Sequence, residues 1–321
     1  MLLDVVRDPH VGSEGVSLFS IIHDEMYFLP EFLRHYREIG VERFVFVDDA
    51  STDGSREYLA EQPDCMILES ELRYFDIVDG KRAFNAWRQE MLDRFSRDRW
   101  AVVADADEFL ALPSDLSLGD VATRLERLGG ESVWGVMVDM YPETISDLDD
   151  PGPFSLDGRW YFDARPHMRF SARSGRRRMI YGGSRARLLT ENRIPGEEQR
   201  LKRLWMMRLG MRKRLKFNKI TKAPFVRWTA GHHIAGSHKL QPSPTTPNVL
   251  AIMHFKFTPD LRRKIDYALE SGGYYDGSKE YRLMNELLLE MKARNRRFIS
   301  TRSRRMERPS DLYAGGVGKL N

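Results

Sequence analysis

At 321 residues, with 41% hydrophobic and 31% charged side chains, the chain has enough material for one large α/β domain or two smaller ones. Its mean hydropathy of −0.50 and the lack of any run near the roughly 18–20 apolar residues of a bilayer span exclude a membrane-spanning class. The opening Met1-Leu2-Leu3-Asp4 does not read as a signal peptide, so a cytoplasmic location is expected. The net charge of +4 is uneven, with acidic residues in the first half and basic clusters at Arg176-Arg177-Arg178, Arg212-Lys213-Arg214 and Arg302 to Arg305. Such clusters suit phosphate, anionic lipid or nucleic acid, or are simply a solvated basic surface.

Val16 to His23 is an apolar run of strand length. The helix predicted next has Pro30 in its first turn and Gly40 at its end, and Leu29, Phe32, Leu33, Tyr36 and Ile39 share one face. Arg43 to Val47 forms a second strand, stopped by Asp48-Asp49, and Ser51-Thr52-Asp53-Gly54 turns into a short helix ending near Ala60. Cys65 to Glu69 is a third strand. Its lone cysteine excludes a disulfide framework and a cysteine-based zinc site, and reads as a buried thiol. Gly80 to Phe95 reads as a helix with Ala83, Phe84, Trp87, Met91 and Phe95 as its buried stripe, and Trp100 to Ala104 as a fourth strand. This alternation predicts a mainly parallel sheet covered by helices, whose ligands bind beyond the carboxyl ends of the strands. Further on, the pattern gives a helix over Ser117 to Leu128, a strand over Val133 to Tyr141 and a long loop from Ser146 to Arg165. A basic helical stretch over 197–217, helices at about 259–270 and 278–295, and a loosely ordered basic tail complete the chain.

Two acidic groups end predicted strands: Asp48-Asp49, and Asp105-Ala106-Asp107 followed by Glu108. In extended backbone, positions i and i+2 project to the same side, so Asp105 and Asp107 can face one ion. Three carboxylates within four residues repel one another unless a cation sits among them, and hard oxygen ligands favour Mg²⁺ or Mn²⁺ carrying substrate phosphates. Carboxylates at the 48–49 strand end can accept from a nucleobase N–H or a ribose hydroxyl; the Ser-Thr-Asp-Gly beyond them is equally an N-cap and turn.

The stretches His23-Asp24-Glu25 with Leu29-Pro30-Glu31-Phe32-Leu33, Val47-Asp48-Asp49-Ala50-Ser51-Thr52-Asp53-Gly54-Ser55, and Asp105-Ala106-Asp107-Glu108-Phe109-Leu110 together resemble family 2 glycosyltransferases of GT-A fold, especially the bacterial branch. The likeness covers roughly residues 16–112. It departs where Asp24-Glu25 replaces the usual Asn-Glu pair. The resemblance implies a GT-A catalytic domain over 1–257, with a nucleotide-binding half at 16–112 and an acceptor half at 113–257, and a helical extension with a basic tail over 258–321. It also implies a nucleotide-sugar donor as co-substrate, Mn²⁺ or Mg²⁺, and a saccharide, glycan or lipid-linked acceptor. Ile22 to Glu25 would border the nucleotide, Asp48 and Asp49 would contact the base or ribose, Asp105 would lie near ribose and metal, and Asp107 would ligate the metal. Lys81, Arg82 and Asn85 match a region lining the donor pocket, or are an ordinary basic helix start. A late histidine would complete the metal site: His254, delivered by the apolar run Val249 to Met253, or the competing His238. Lys256 and Arg227 would complement diphosphate charge. Asp139 and Glu143, after the next strand, are the candidates for the general base of an inverting displacement.

The basic second half allows peripheral contact with an anionic membrane at its inner face; no nucleic-acid partner is expected. A haloacid-dehalogenase-type phosphatase also places Asp-x-Asp at a strand end, but there the motif usually opens the sheet, and Phe109 stands where Thr or Val is normal. A sugar nucleotidyltransferase expects a glycine-rich loop where Ile22-His23-Asp24-Glu25-Met26 has none. A non-enzymatic binder of anionic polymers would explain the basic half and leave the acidic strand ends unexplained.

Overall fold

A computed structural model describes residues 1–9, 15–150, 152–164, 167–171, 178–194, 220–236, 239–273 and 275–320. Nine strands build the main sheet: β1 (Asp4–Arg7), β2 (Val16–Ile22), β3 (Val41–Asp48), β4 (Cys65–Glu69), β5 (Trp100–Val103), β6 (Glu108–Ala111), β7 (Ser132–Asp139), β8 (Thr221–Arg227) and β9 (Val249–His254). Their order is β1-β4-β3-β2-β5-β8-β7-β9-β6. Strands β4, β3, β2 and β5 are mutually parallel, and β9 is parallel to β7. Only β1, β8 and β6 run against the rest. The result is a mixed, mostly parallel sheet, compatible with the GT-A-like architecture expected from the sequence.

Helices cover both faces: α1 (Leu29–Glu38), α2 (Ser55–Ala60), α3 (Ala83–Phe95), α4 (Leu118–Arg127), α5 (Ser184–Glu191), α6 (Leu261–Ser271), α7 (Tyr275–Ala293) and α8 (Asp311–Ala314). Every residue of β2, β7 and β9 is buried, which is why these strands read as continuous apolar runs. Alternate side chains divide between the faces. Leu18, Phe44, Phe46, Ile67 and Val102 pack with α1 and α4; Phe19, Val45, Val47, Met66 and Val103 pack with α3. A third apolar cluster joins α5, α6 and α7 around Phe257 and Phe298.

Several expectations need correction. The helix predicted from Gly80 starts at Ala83, because Lys81 and Arg82 pair with Val78 and Ile77 across an Asp79-Gly80 turn whose two φ angles are +49° and +72°. That is hairpin-turn chemistry. In the same helix Arg88 and Leu92 are buried, while Phe84 and Phe95 are half-buried. The stretch read as a long loop contains a 3-10 turn at Ile145–Asp149 and a strand, Tyr161–Asp163, that pairs with Ser303–Arg305. Nor is the basic tail loose: Met306, Leu312 and Val317 are buried in the main core, and Lys319 exchanges backbone hydrogen bonds with Val249. The basic stretch at 197–217 lies outside the described residues.

Candidate active site

The carboxyl ends of β3, β2, β5, β7 and β9 all lie on one edge of the sheet. Ile22, the buried last residue of β2, accepts the Asp49 amide through its carbonyl at 2.8 Å. The His23 ring adds a 2.7 Å bond between Nδ1 and the Asp49 carbonyl. Asp24 and Ala50 both sit in the left-handed region, at φ +53° and +52°, where non-glycine residues are uncommon outside constrained sites. The Asp24 carboxylate is spent on the neighbouring loop, accepting the Thr52 amide at 2.5 Å. Its role is to hold that loop.

Asp48 and Asp49 are buried at the end of β3. Asp48 Oδ1 caps Ser51 at 3.1 Å, and Asp49 Oδ2 accepts from the Tyr74 amide at 3.3 Å. The second oxygen of each, Asp48 Oδ2 and Asp49 Oδ1, is buried without a hydrogen bond. The nearest cations are Arg56 and Arg73, each 3.7 Å away. Burial accordingly raises the Asp49 pKa. A buried acceptor lacking its donor is costly, and a ligand N–H or O–H would satisfy it. Asn85 Oδ1, on α3, is another buried acceptor without a partner, whereas Lys81 is exposed on the short ribbon.

The acidic triplet meets protein cations, which the sequence reading missed. Asp105 pairs with Arg88 and lies 3.5 Å from Lys222 Nζ. Glu108 pairs with the same lysine; both side chains are only 3% exposed. Burial raises the Glu108 pKa, and Lys222 opposes the shift. Much of the mutual repulsion expected of these carboxylates is therefore relieved within the fold.

Asp107 faces the other way. Its Oδ2 is 3.6 Å from His254 Nε2 and 3.9 Å from Lys264 Nζ. Despite burial, Lys264 and His254 hold its carboxyl well below the ordinary range. Because β7 and β9 are parallel with His254 opposite Asp139, the Asp139 carboxylate takes His254 Nδ1 at 2.7 Å; its other oxygen takes Arg185 Nε at 2.8 Å. Burial would lower the pKa of His254, but Asp107 and Asp139 outweigh it and push it up to about 9. Lys264, on α6, also binds Glu25, at 2.9 Å to each carboxylate oxygen. Burial pushes Glu25 up to about 7 against the pull of that lysine.

These contacts revise the general-base candidates. Asp139 has both oxygens engaged and, although buried, is held well below the ordinary carboxylate range by Arg185 and His254. With His254 on one oxygen and Arg185 on the other, its geometry makes it a group that orients His254. Glu143 is not brought to the triplet. It accepts from Tyr161 Oη at 3.1 Å, pairs with Arg297 and lines a neighbouring cavity. Lys256 binds Tyr281 Oη at 3.1 Å, and Arg227 lies at the opposite end of the sheet, bonded to the Asp98 carbonyl. His238 lies outside the described residues.

The residues present suit a divalent ion in one respect. A buried, charged Asp107 faces His254 Nε2, and Asp139 fixes the ring from behind, the arrangement that supports a metal-bound imidazole. Among the described residues no group of three or more His, Cys, Asp or Glu forms a closed cage. An ion held by two donors would draw its other ligands from substrate phosphate and water.

No family model matches the chain, and no curated protein matches it. Among solved structures it is similar to TarS of S. aureus, at 15% identity and a TM-score of 0.33, over 56% of this chain and 30% of that one. It is also similar to a UDP-glucose pyrophosphorylase complexed with UDP-glucose, at 10% identity and a TM-score of 0.25, over 46% of this chain and 67% of that one.

Proposed function

We propose that the chain is a metal-dependent glycosyltransferase that moves a sugar from a nucleotide-sugar donor to a hydroxyl acceptor. The observation that carries this reading is the placement, on one sheet edge, of buried Asp48 and Asp49 oxygens that lack a hydrogen bond beside the facing pair Asp107 and His254. In this reading Asp49 accepts from the base or ribose. The half-exposed Asp105 borders the ribose, and Asp107 and His254 hold Mn²⁺ or Mg²⁺. The ion supplies positive charge against the departing diphosphate. Lys264 and Arg73 add cationic charge on the same edge, and Asp139 keeps the His254 ring in place. Glu143 lines the neighbouring cavity, and to take the proton of the acceptor hydroxyl it would have to exchange its contacts with Tyr161 or Arg297 for that hydroxyl. Membrane contact and a lipid-linked acceptor belong to the same proposal and rest on the basic clusters alone.

A thermal-shift panel of nucleoside diphosphates and sugar nucleotides, with and without Mn²⁺, tests it, because a ligand that binds only the folded state raises the melting temperature. One nucleotide class should stabilise the protein only with metal, and Asp107→Ala should abolish that gain. No shift with any donor at saturating Mn²⁺ refutes the reading.

A further inference from the structure

Beside the candidate active site lies a cavity of about 530 Å³, framed by the segments that leave it: Tyr27 follows Glu25, Pro142 follows Asp139, and Pro259 precedes α6. Its volume falls within the range of small-molecule sites and would accept a mono- or disaccharide. Tyr27, Phe154 and Trp160 form a continuous aromatic wall, with ring centroids 5.8 Å apart between the first two and 5.9 Å between the last two. Phe154 and Trp160 are buried at 5% and 8% exposure, so the half-buried Tyr27 is the ring most open to the cavity. The half-buried Tyr27 hydroxyl is held protonated by burial and by the carboxylates of Asp260 and Asp150, its pKa pushed up to about 12.

The described lining of this cavity is mainly acidic, whereas the carboxylates of the nucleotide end are each paired with a cation. Glu143, Asp147 and Asp150 line it; among the described lining residues the cation is Arg159, 68% exposed and 3.9 Å from Glu143. Arg297 pairs with Glu143 from outside the lining, which leaves Asp147 and Asp150 as the carboxylates without a cationic partner among the described residues there. The nucleotide end carries Arg73 beside Asp49, Arg56 beside Asp48, and Lys264 beside Asp107. An anionic group entering the cavity would meet like charge, and like-charge juxtaposition excludes wrong partners. Hydroxyl and ammonium groups would instead find carboxylate acceptors, with an aromatic wall for the apolar face of a sugar ring.

Resting on the glycosyltransferase reading, we infer that this cavity is the acceptor subsite and that it takes a neutral or amino-bearing saccharide and rejects a uronic or phosphorylated one. The test is titration of the full chain with a neutral cello-oligosaccharide, an amino-bearing chitosan oligosaccharide and an anionic oligogalacturonate, followed by tryptophan fluorescence. The first two should bind at least about tenfold more tightly than the third. Tyr27→Ala should weaken both by about tenfold or more, the loss of one ring from the wall. Asp150 is exposed, so Asp150→Lys should leave folding intact while narrowing the gap between neutral and anionic sugars. Oligogalacturonate binding as tightly as the neutral sugar, binding indifferent to both substitutions, or no binding of any sugar at millimolar concentration overturns the inference. Nucleoside-diphosphate stabilisation is read on the same samples. Sugar binding without it would sink the transfer reading and leave the cavity's selectivity standing; nucleotide binding without sugar binding would do the reverse.

Discussion

Replacing Lys222 by methionine tests the claim that the acidic triplet is neutralised by the protein. Lys222 sits on β8, is 2% exposed, and meets Glu108 directly and Asp105 at 3.5 Å. Removing it leaves a carboxylate buried to 3% exposure without its cation, a change that costs about 3–5 kcal/mol. Glu108→Gln alone is milder, about 1–3 kcal/mol, because Lys222 keeps Asp105. The double substitution should be less costly than the sum of the two by about 2 kcal/mol, the signature of residues in contact. Urea unfolding of the four proteins measures this, with the midpoint moving while the slope stays constant. EDTA should leave the cost of Lys222→Met unchanged, since the countercharge of Asp105 and Glu108 is a side chain. Additive effects, a cost below about 1 kcal/mol for Lys222→Met, or a cost that changes with EDTA would refute the reasoning.

Other outcomes follow from neighbouring groups. Asp49→Asn should abolish nucleotide stabilisation in the thermal-shift panel while the unliganded melting temperature stays level or rises, because a buried carboxylate with an unpaired oxygen is replaced by a neutral amide. His35 is buried with Nε2 bonded to the Leu110 carbonyl at 2.8 Å, and burial lowers its pKa to about 4. Below pH 6.5 the unfolded chain takes a proton that the folded chain refuses, so this contribution is present above 6.5 and is lost as pH falls toward 4. The loss amounts to roughly 3 kcal/mol. Urea midpoints across that window should fall less steeply for His35→Gln; an unchanged slope would count against it. Leu312→Ala should cost about 2–5 kcal/mol, since this tail residue is fully buried in the main core. A near-neutral effect would return the tail to the surface role its composition suggests.

The first half of the sheet was legible because its signals agree with one another. Leu29, Phe32, Leu33 and Tyr36 keep helical spacing and are buried, and β2, β3 and β4 are apolar runs bounded by turn residues. In the sheet's other half the strand after α4 and the run at Val249 to Met253 were also legible, but β6 and β8 were hidden for physical reasons. Strand β6 is four residues long, too short to show a period, and it follows the triplet without a turn signal of its own. Strand β8 contains Lys222 and Pro224, and proline normally marks an edge. It is tolerated in mid-sheet because the register shifts between Lys222 and Phe225, and because β7 has Gly135 there. A Cβ at Gly135 would come within 2.8 Å of the Pro224 ring. The site shows the same division. The acidic strand ends could be read directly, but the cations facing them come from residues far away in sequence, such as Arg88, Lys222 and Lys264, which looked like ordinary surface charges. Nothing in the sequence marked Asp139 as the partner of His254; that follows only from the parallel pairing of β7 and β9.

The sheet order has a mechanical consequence for the triplet. Strand β5 ends at residue 103 and β6 begins at residue 108, yet β8, β7 and β9 lie between them. Four inter-strand steps across a flat sheet span about 19 Å. Five peptide steps reach about 18 Å only when fully extended, and here the Glu108 amide turns back to the Asp105 carbonyl at 2.9 Å. That turn holds its ends within about 7 Å, which limits the reach to about 14 Å. The sheet must therefore curl into an arc, with residues 104–107 as the short chord across its mouth. Asp105 rides on that chord, whereas Asp107 is tied beside His254, its carbonyl taking the Phe255 amide at 2.8 Å and Glu108 pairing with His254. A single residue inserted at Ala106 would slacken the chord and move Asp105 away from Arg88 and Lys222 while Asp107 kept its place, even with every side chain retained.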